Sequence, residues 1–294
     1  MKTGKNFKMA VLFLGLFLLS EMFIAGQSSN NRNRDAVQAF ERGETFYKKG
    51  ALTEAKMEYT RAIELESKYA EAFMGRGNAR SWGIDANLEL AQEDYDKAAV
   101  LDRKYSNFAK AFKYFRDGDY TKAIETFDRV IQEKINLMDA YSDRGNSYSA
   151  IGEIEKSIAD HTEAIRVNPG FYGNYGNRAY LYGQTEQFDK AIADCDKAIS
   201  LNPNEYYFYF IRGFANNRLE NYTEAINNFT KGINLQIGTE DVDFNWYIWR
   251  GDSYMNTGDY DKAMADVNTI LRRDPANEDA QYLRGIIRAK RAAQ

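Results

Sequence analysis

The stretch N202-PNEYYFYFIRGFAN-N217 holds Tyr206, Tyr207, Phe208, Tyr209 and Phe210 without a break. Five adjacent rings favour a pleated strand by local propensity. The assignment turns on what recurs at fixed distances from this stretch. Gly213 lies 34 residues after Ala179, which lies 34 after Gly145. The series extends back through Ala111, Gly77 and Gly43 and forward to Gly251 and Gly285. An arginine precedes each small residue (Arg42, Arg76, Arg144, Arg178, Arg212, Arg250, Arg284), with Lys110 the one variant. Two further columns share the period: Ala55, Ala91, Ala123, Ser157, Ala191, Ala225, Ala263, and Ala62, Ala98, Val130, Ala164, Ala198, Gly232, Ile270. A fixed period in this range marks a solenoid of supersecondary units, and it overrides a local strand reading. Residues 206–219 are therefore predicted to form a helix.

When each unit is numbered from 1, positions 4, 7, 8 and 11 fall on one helical stripe. A small residue at 8 lets a second helix approach closely, and small residues at 20 and 27 do the same from the other side. Turns such as "KKGAL", "RDGDY", "AIGEI" and "NTGDY" place glycine where the first helix ends. Thr53, Thr121, Asp189, Thr223 and Asp261 are placed to open the second helix. "NPG", "NPN" and "DPA" then break it. The units are 36–69, 70–105, 106–137, 138–171, 172–205, 206–239 and 244–277. "SWGIDANLEL" forms an irregular turn, and "EDVD" (240–243) is an insertion. Residues 278–294 supply one more first helix with a polar end, as a cap on an open array would.

This unit resembles the tetratricopeptide repeat, a helix–turn–helix of 34 residues. Residues 172–205 carry the pattern as Tyr175, Arg178, Ala179, Tyr182, Ala191, Cys195, Ala198 and Pro203. The units 138–171 and 244–277 repeat it with Tyr141, Gly145, Tyr148, His161 and Pro169, and with Tyr247, Gly251, Tyr254 and Pro275. The resemblance covers 36–294 and implies an all-α, right-handed α-solenoid with a C-terminal capping helix. It implies a binding scaffold rather than one particular ligand, because the fold serves unrelated partners. It also implies that positions 2, 5, 9 and 12 line a concave groove. Tyr207, Phe210 and Phe214 take such positions in the sixth unit, and Phe108, Phe112 and Phe115 in the third. These six form the expected partner-binding groove, desolvating an apolar or aromatic segment of another protein. Asn78, Asn146, Asp252 and Glu44 intersperse polar groups. The alternative is that tight curvature buries these rings against neighbouring first helices or a second copy. Family members that clamp a C-terminal carboxylate carry basic residues at position 5. Here that position holds Phe40, Met74, Phe108, Ser142, Gly176, Phe210 and Ile248, so that clamp is not expected.

Residues 1–26 are a separate object. A short basic start, "MKTGKNFK", precedes the apolar run "MAVLFLGLFLLS" (9–20). The run suits a secretory signal and is short for a membrane span. Ala25 and Gly26 supply small residues for cleavage; an uncleaved anchor is the alternative. Residues 27–35 read as a polar linker. The expected location is exported, in the periplasm or cell envelope, with a membrane tether only through this segment. The formal net charge of −4, with no basic block, disfavours nucleic acid. No enzyme, metal or cofactor is expected. His161 and Cys195, the sole residues of their kinds, share a core column, where a cysteine behaves as a small apolar residue. A glycan-binding module and a structural homo-oligomer are the rival functions.

Overall fold

The computed structural model describes residues 33–83, 85–236 and 244–293. Fifteen α-helices follow one another, and no strand occurs among the described residues. Seven consecutive pairs are α1 (Arg34–Lys48) with α2 (Leu52–Leu65), α3 (Ala70–Ser81) with α4 (Leu88–Leu101), α5 (Ser106–Arg116) with α6 (Tyr120–Gln132), α7 (Leu137–Ala150) with α8 (Ile154–Val167), α9 (Tyr172–Gln184) with α10 (Phe188–Leu201), α11 (Tyr206–Arg218) with α12 (Tyr222–Leu235), and α13 (Asn245–Asn256) with α14 (Tyr260–Arg273). A last helix, α15 (Glu278–Ala292), packs on α14. The five rings lie on α11, as the period requires. The signal or anchor segment and the insertion at 240–243 lie outside the described residues.

The glycine column is a set of sockets for rings. A methyl group at Gly43 would lie 2.7 Å from the Tyr59 ring, and one at Gly77 2.6 Å from Tyr95. Gly213 receives Phe229 in the same way, at 2.9 Å. Tyr59, Tyr95 and Phe229 are fully buried, and each such burial contributes about 2–3 kcal/mol. The arginine before each socket reaches the acid one residue before the side chain that fills it, or in the sixth unit the amide of Asn228. Arg76 grips Asp94 with two hydrogen bonds of 2.7 and 2.9 Å, and Arg144, Arg178 and Arg250 hold Asp160, Asp194 and Asp266 alike. The same guanidiniums also reach back to the preceding unit, Arg178 to Thr162 and Arg250 to Thr230. Each arginine thus fixes the register within its unit and between units. Lys110, the variant in the arginine column, coincides with Thr126 where the other units place an acid or amide.

Gly50, Gly118, Gly152 and Gly258 take positive φ after their first helices, as the turn motif demands. The second helices open two residues before the positions expected. The N-caps are Asp119 and Asp259, whose side chains accept from the amides of Lys122 and Lys262, while Thr121 and Asp261 lie inside the first turn. In the fifth and sixth units Glu186 and Glu220 occupy the left-handed position in place of glycine.

The array curls tightly enough for its first helices to meet across three units. The Tyr47 hydroxyl on α1 donates to Asp139 on α7. The Trp82 indole donates to the same carboxylate at 3.3 Å. Phe171, fully buried, packs on both rings at 5.3 and 4.8 Å between centroids. Asn78 and Asn136 exchange two amide hydrogen bonds. Asn136 itself sits at φ 45°, in a sharp turn between α6 and α7. First helices meeting first helices means that they line the inside of the curve.

Candidate partner-binding groove

The curl divides the expected groove in two. Phe108 and Phe112 are not groove residues: both are 0% exposed. They pack edge-on against Tyr95 at 4.9 and 4.7 Å, and Phe108 also meets Phe127. The reason is local. The second unit ends in a 3-10 turn (Arg103–Tyr105) that runs straight into a shortened first helix of the third, and together they press the start of α5 into α4. Met74 and Tyr47, on the same stripe, are buried by the contacts between first helices. Asn78 and Asn146, expected to greet a ligand, already bond to Asn136 and Asn177. Asp252 accepts from Asn217 at 3.0 Å.

The later half stays open. Tyr180 is 44% and Tyr207 40% exposed. Phe210 and Phe214 are half-buried. A cleft of about 350 Å³ lies over α9, α11 and α13, walled by Tyr180, Phe188, Phe210, Phe214 and Trp249. Phe214 stands edge-on to Trp249 at 4.9 Å and to Phe188 at 6.2 Å, so three elements fix its wall. Arg218 and Glu186 pair at 3.5 Å on the rim, and the Arg218 guanidinium lies over the Phe188 ring. A second cleft of about 330 Å³ continues past Tyr180 and Tyr207 to Asn146, Asn177, Phe115 and Tyr120. Phe115 therefore does face open space, unlike Phe112 and Phe108, one and two turns before it. The structure brings together Tyr207, Phe210, Phe214 and Phe115 along one furrow joined at Tyr180. Burial and the neighbouring Tyr180 push the Tyr207 phenol up to about 12, so it stays a neutral donor at physiological pH.

Sequence reasoning passed over Phe188 and Trp249. Phe188 begins a second helix, and Trp249 takes position 6, off the expected stripe. Their only sequence signal is size. The positioning of α11 itself depends on two more rings: Phe208 is buried beside Gly176 and Tyr172, and Trp246 packs against Phe210 at 5.0 Å.

The His161–Cys195 column offers no reactive pair. Both side chains are buried. Burial lowers the His161 imidazole to about 4, and its Nδ1 contacts Asn174 at 3.2 Å. Burial drives the Cys195 thiol far above its ordinary value, so the thiolate is suppressed. Among the described residues no group of three His, Cys, Asp or Glu could hold a metal ion.

Stacked helix pairs with ring-filled glycine sockets and an inner furrow define a tetratricopeptide-repeat solenoid, and this chain is a tetratricopeptide-repeat protein. The family profile described as tetratricopeptide repeat matches residues 175–205, and a second profile of that description matches 247–277. Tetratricopeptide repeat protein 13 of Homo sapiens is 28% identical over 117 residues, which span 39% of this chain and 13% of that protein. Among solved structures, MamA 41-end from Desulfovibrio magneticus RS-1 superposes with a TM-score of 0.55 at 12% identity, covering 60% of this chain and 98% of that one. A chain of the APC/C hetero-tetramer Cut9-Hcn1 superposes with a TM-score of 0.60 at 15% identity, covering 87% of this chain and 49% of that one. These likenesses speak to the fold. No described helix is long and apolar enough to cross a membrane.

Proposed function

We propose that this protein is a non-catalytic scaffold of the cell envelope that holds an apolar or aromatic segment of a partner protein in the open half of its inner groove. The observation that carries the reading is the preformed cleft walled by Tyr180, Phe188, Phe210, Phe214 and Trp249. Its rings come from three successive first helices and the start of one second helix, so little order is lost when a segment enters. A buried anchor side chain of that segment contributes about 2 kcal/mol or more. The envelope location is supported by the basic start and apolar run of residues 1–20, which suit an exported chain.

Selection from a displayed library of random 12-residue peptides on residues 27–294 tests the groove. The expected consensus carries one or two large apolar anchors. Binding should fall at least tenfold in Phe214→Ala and in the surface variant Tyr180→Ala/Tyr207→Ala, both with wild-type helicity by circular dichroism. Enriched peptides that bind all variants equally would overturn the groove assignment. Soluble cell-wall glycans that shift the tryptophan emission while no peptide is enriched would replace it with a sugar site.

A further inference from the structure

We infer that the crevice closed between the second, fifth and sixth units is a cage for a quaternary ammonium group, carried on a small polar molecule. A cavity of about 280 Å³ opens there, walled by Trp82, Tyr172, Tyr206, Tyr207 and Phe208 with one carboxylate, Glu205. No repeat column brings these rings together; the curl of the array does. Three glycines outside the socket column seat them. A methyl at Gly173 would lie 2.6 Å from Trp82, one at Gly50 would lie 2.5 Å from Tyr172, and one at Gly176 would collide with Phe208. The Trp82 indole is held further by its bond to Asp139, and the Phe208 ring stands edge-on to Tyr172 at 5.7 Å. The walls are therefore set before any ligand arrives.

Ring faces and charge define the occupant. Elsewhere the repeats cover their own tyrosines: Arg144, Arg178 and Arg250 each lie over two tyrosines of their unit, 5.5–6.0 Å from the ring centres. Among the described residues no cation stands over a cage ring, and none pairs with Glu205. Burial pushes the Glu205 carboxyl above its ordinary range, with only the Tyr207 amide opposing. Its charge, after burial, helps raise the Tyr172 phenol. An unpaired, partly desolvated carboxylate among ring faces is complementary to a cation. A primary ammonium brings three N–H donors and a tight hydration shell, which ring surface cannot replace. A quaternary ammonium has no donors and spreads its charge over methyl groups, so rings and one carboxylate suffice. Past Trp82, Tyr172 and Glu205 the crevice widens to about 490 Å³, where Asn202 and Asn204 join Lys49 and Lys56, offset by Glu54 and Asp85. That polar, charge-balanced chamber suits a short hydroxyl or carboxylate stem, as in choline or betaine.

Choline and glycine betaine are the probes, titrated into the full chain and followed by saturation transfer from the protein to their methyl protons. Saturable binding is expected. The uncharged isostere of choline, in which a tert-butyl group replaces trimethylammonium, should bind at least tenfold more weakly. Glu205→Gln keeps the shape and removes the charge. Tyr207→Leu keeps an apolar wall and removes a ring face at an exposed position. Each should weaken choline binding at least tenfold in a protein that keeps wild-type helicity. Phe214→Ala, in the aromatic cleft, should leave choline binding as it was, so the cage and the peptide groove stand or fall separately. The proposal fails if neither probe saturates, if the isostere binds as tightly as choline, or if both cage variants bind like wild type. Nα-acetyl-lysine amide binding more tightly than choline would overturn the quaternary assignment. A trimethyllysine peptide or phosphatidylcholine vesicles that bind while both free probes do not would overturn the small-molecule source.

Discussion

Phe112 and Tyr207 occupy equivalent stripes yet have opposite fates, and stability measurements should separate them. Truncating a fully buried phenylalanine removes its transfer energy and leaves a cavity. Phe112→Ala is expected to cost about 3–5 kcal/mol, whereas Tyr207→Ala costs about 1 kcal/mol or less, read from urea denaturation followed by circular dichroism. Asp139 makes a second test. Burial raises its carboxyl to about 7, against the opposing hydrogen bonds from Tyr47 and Trp82, and Glu44 adds repulsion. Asp143, one turn on, is buried and held well above the usual carboxylate range by burial and by the Asp139 charge, and its Oδ2 has no partner among the described residues. A carboxyl with a raised folded-state pKa binds more protons folded than unfolded. Its favourable contribution is complete below the unfolded value near 4 and is lost as pH rises through about 7. The melting temperature is therefore expected to fall between pH 5 and pH 8. Asp139→Asn, which keeps an acceptor for Tyr47, should flatten that slope and stabilise the protein at pH 8. An unchanged slope in the variant would remove Asp139 from the account.

Single elements were legible in the sequence to the extent that one period governs them. The columns at positions 8, 20 and 27 identified α11 as a helix despite five consecutive rings, because socket and ring must recur together. Helix starts were less legible. Thr121 and Asp261 look like caps, but the turn places Asp119 and Asp259 there, and a chain reading cannot tell Ncap from N2 without the turn geometry. The arginine column was visible, but its acids were not: the pairing at positions 7 and 23 emerges once both helices are docked. The turn into α12 carries its own prediction. Glu220 sits at φ 61°, where glycine has no steric penalty and a side chain costs about 1 kcal/mol. Glu220→Gly should raise the melting temperature by about 2 °C, as Gly118 and Gly258 already serve in the same place. No change on differential scanning calorimetry would mean that the turn is compensated elsewhere.

At the scale of the molecule, curvature decided which rings are available, and it was the least legible feature. The contacts that set it, Tyr47 to Asp139 and Trp82 to Phe171, join residues 92 and 89 positions apart in the sequence and belong to no repeat column. Residues such as Phe171 look like ordinary unit boundaries until the first helices close on each other. Nothing in periodicity states that the first four units turn inward on themselves while the later ones leave a furrow. Phe171→Ala should therefore do more than weaken one unit. It should cost about 3–5 kcal/mol, split the thermal transition in two, and enlarge the radius of gyration by small-angle scattering. A single transition with unchanged dimensions would show that the closure is incidental to the shape.

That closure also changes how the protein answers a pull. An open solenoid behaves as a spring, each repeat yielding a little to its neighbours. Here the coil from α1 to α9 is tied across its turns by Tyr47, Trp82, Asp139 and Phe171, so that stretch acts as a rigid ferrule. Compliance is left to the segment from α10 onward, which carries most of the aromatic cleft. Tension applied at α15 would strain the cleft walls at Phe214 and Trp249 before it reached the tied coil. Load on that end would then set the grip of the cleft.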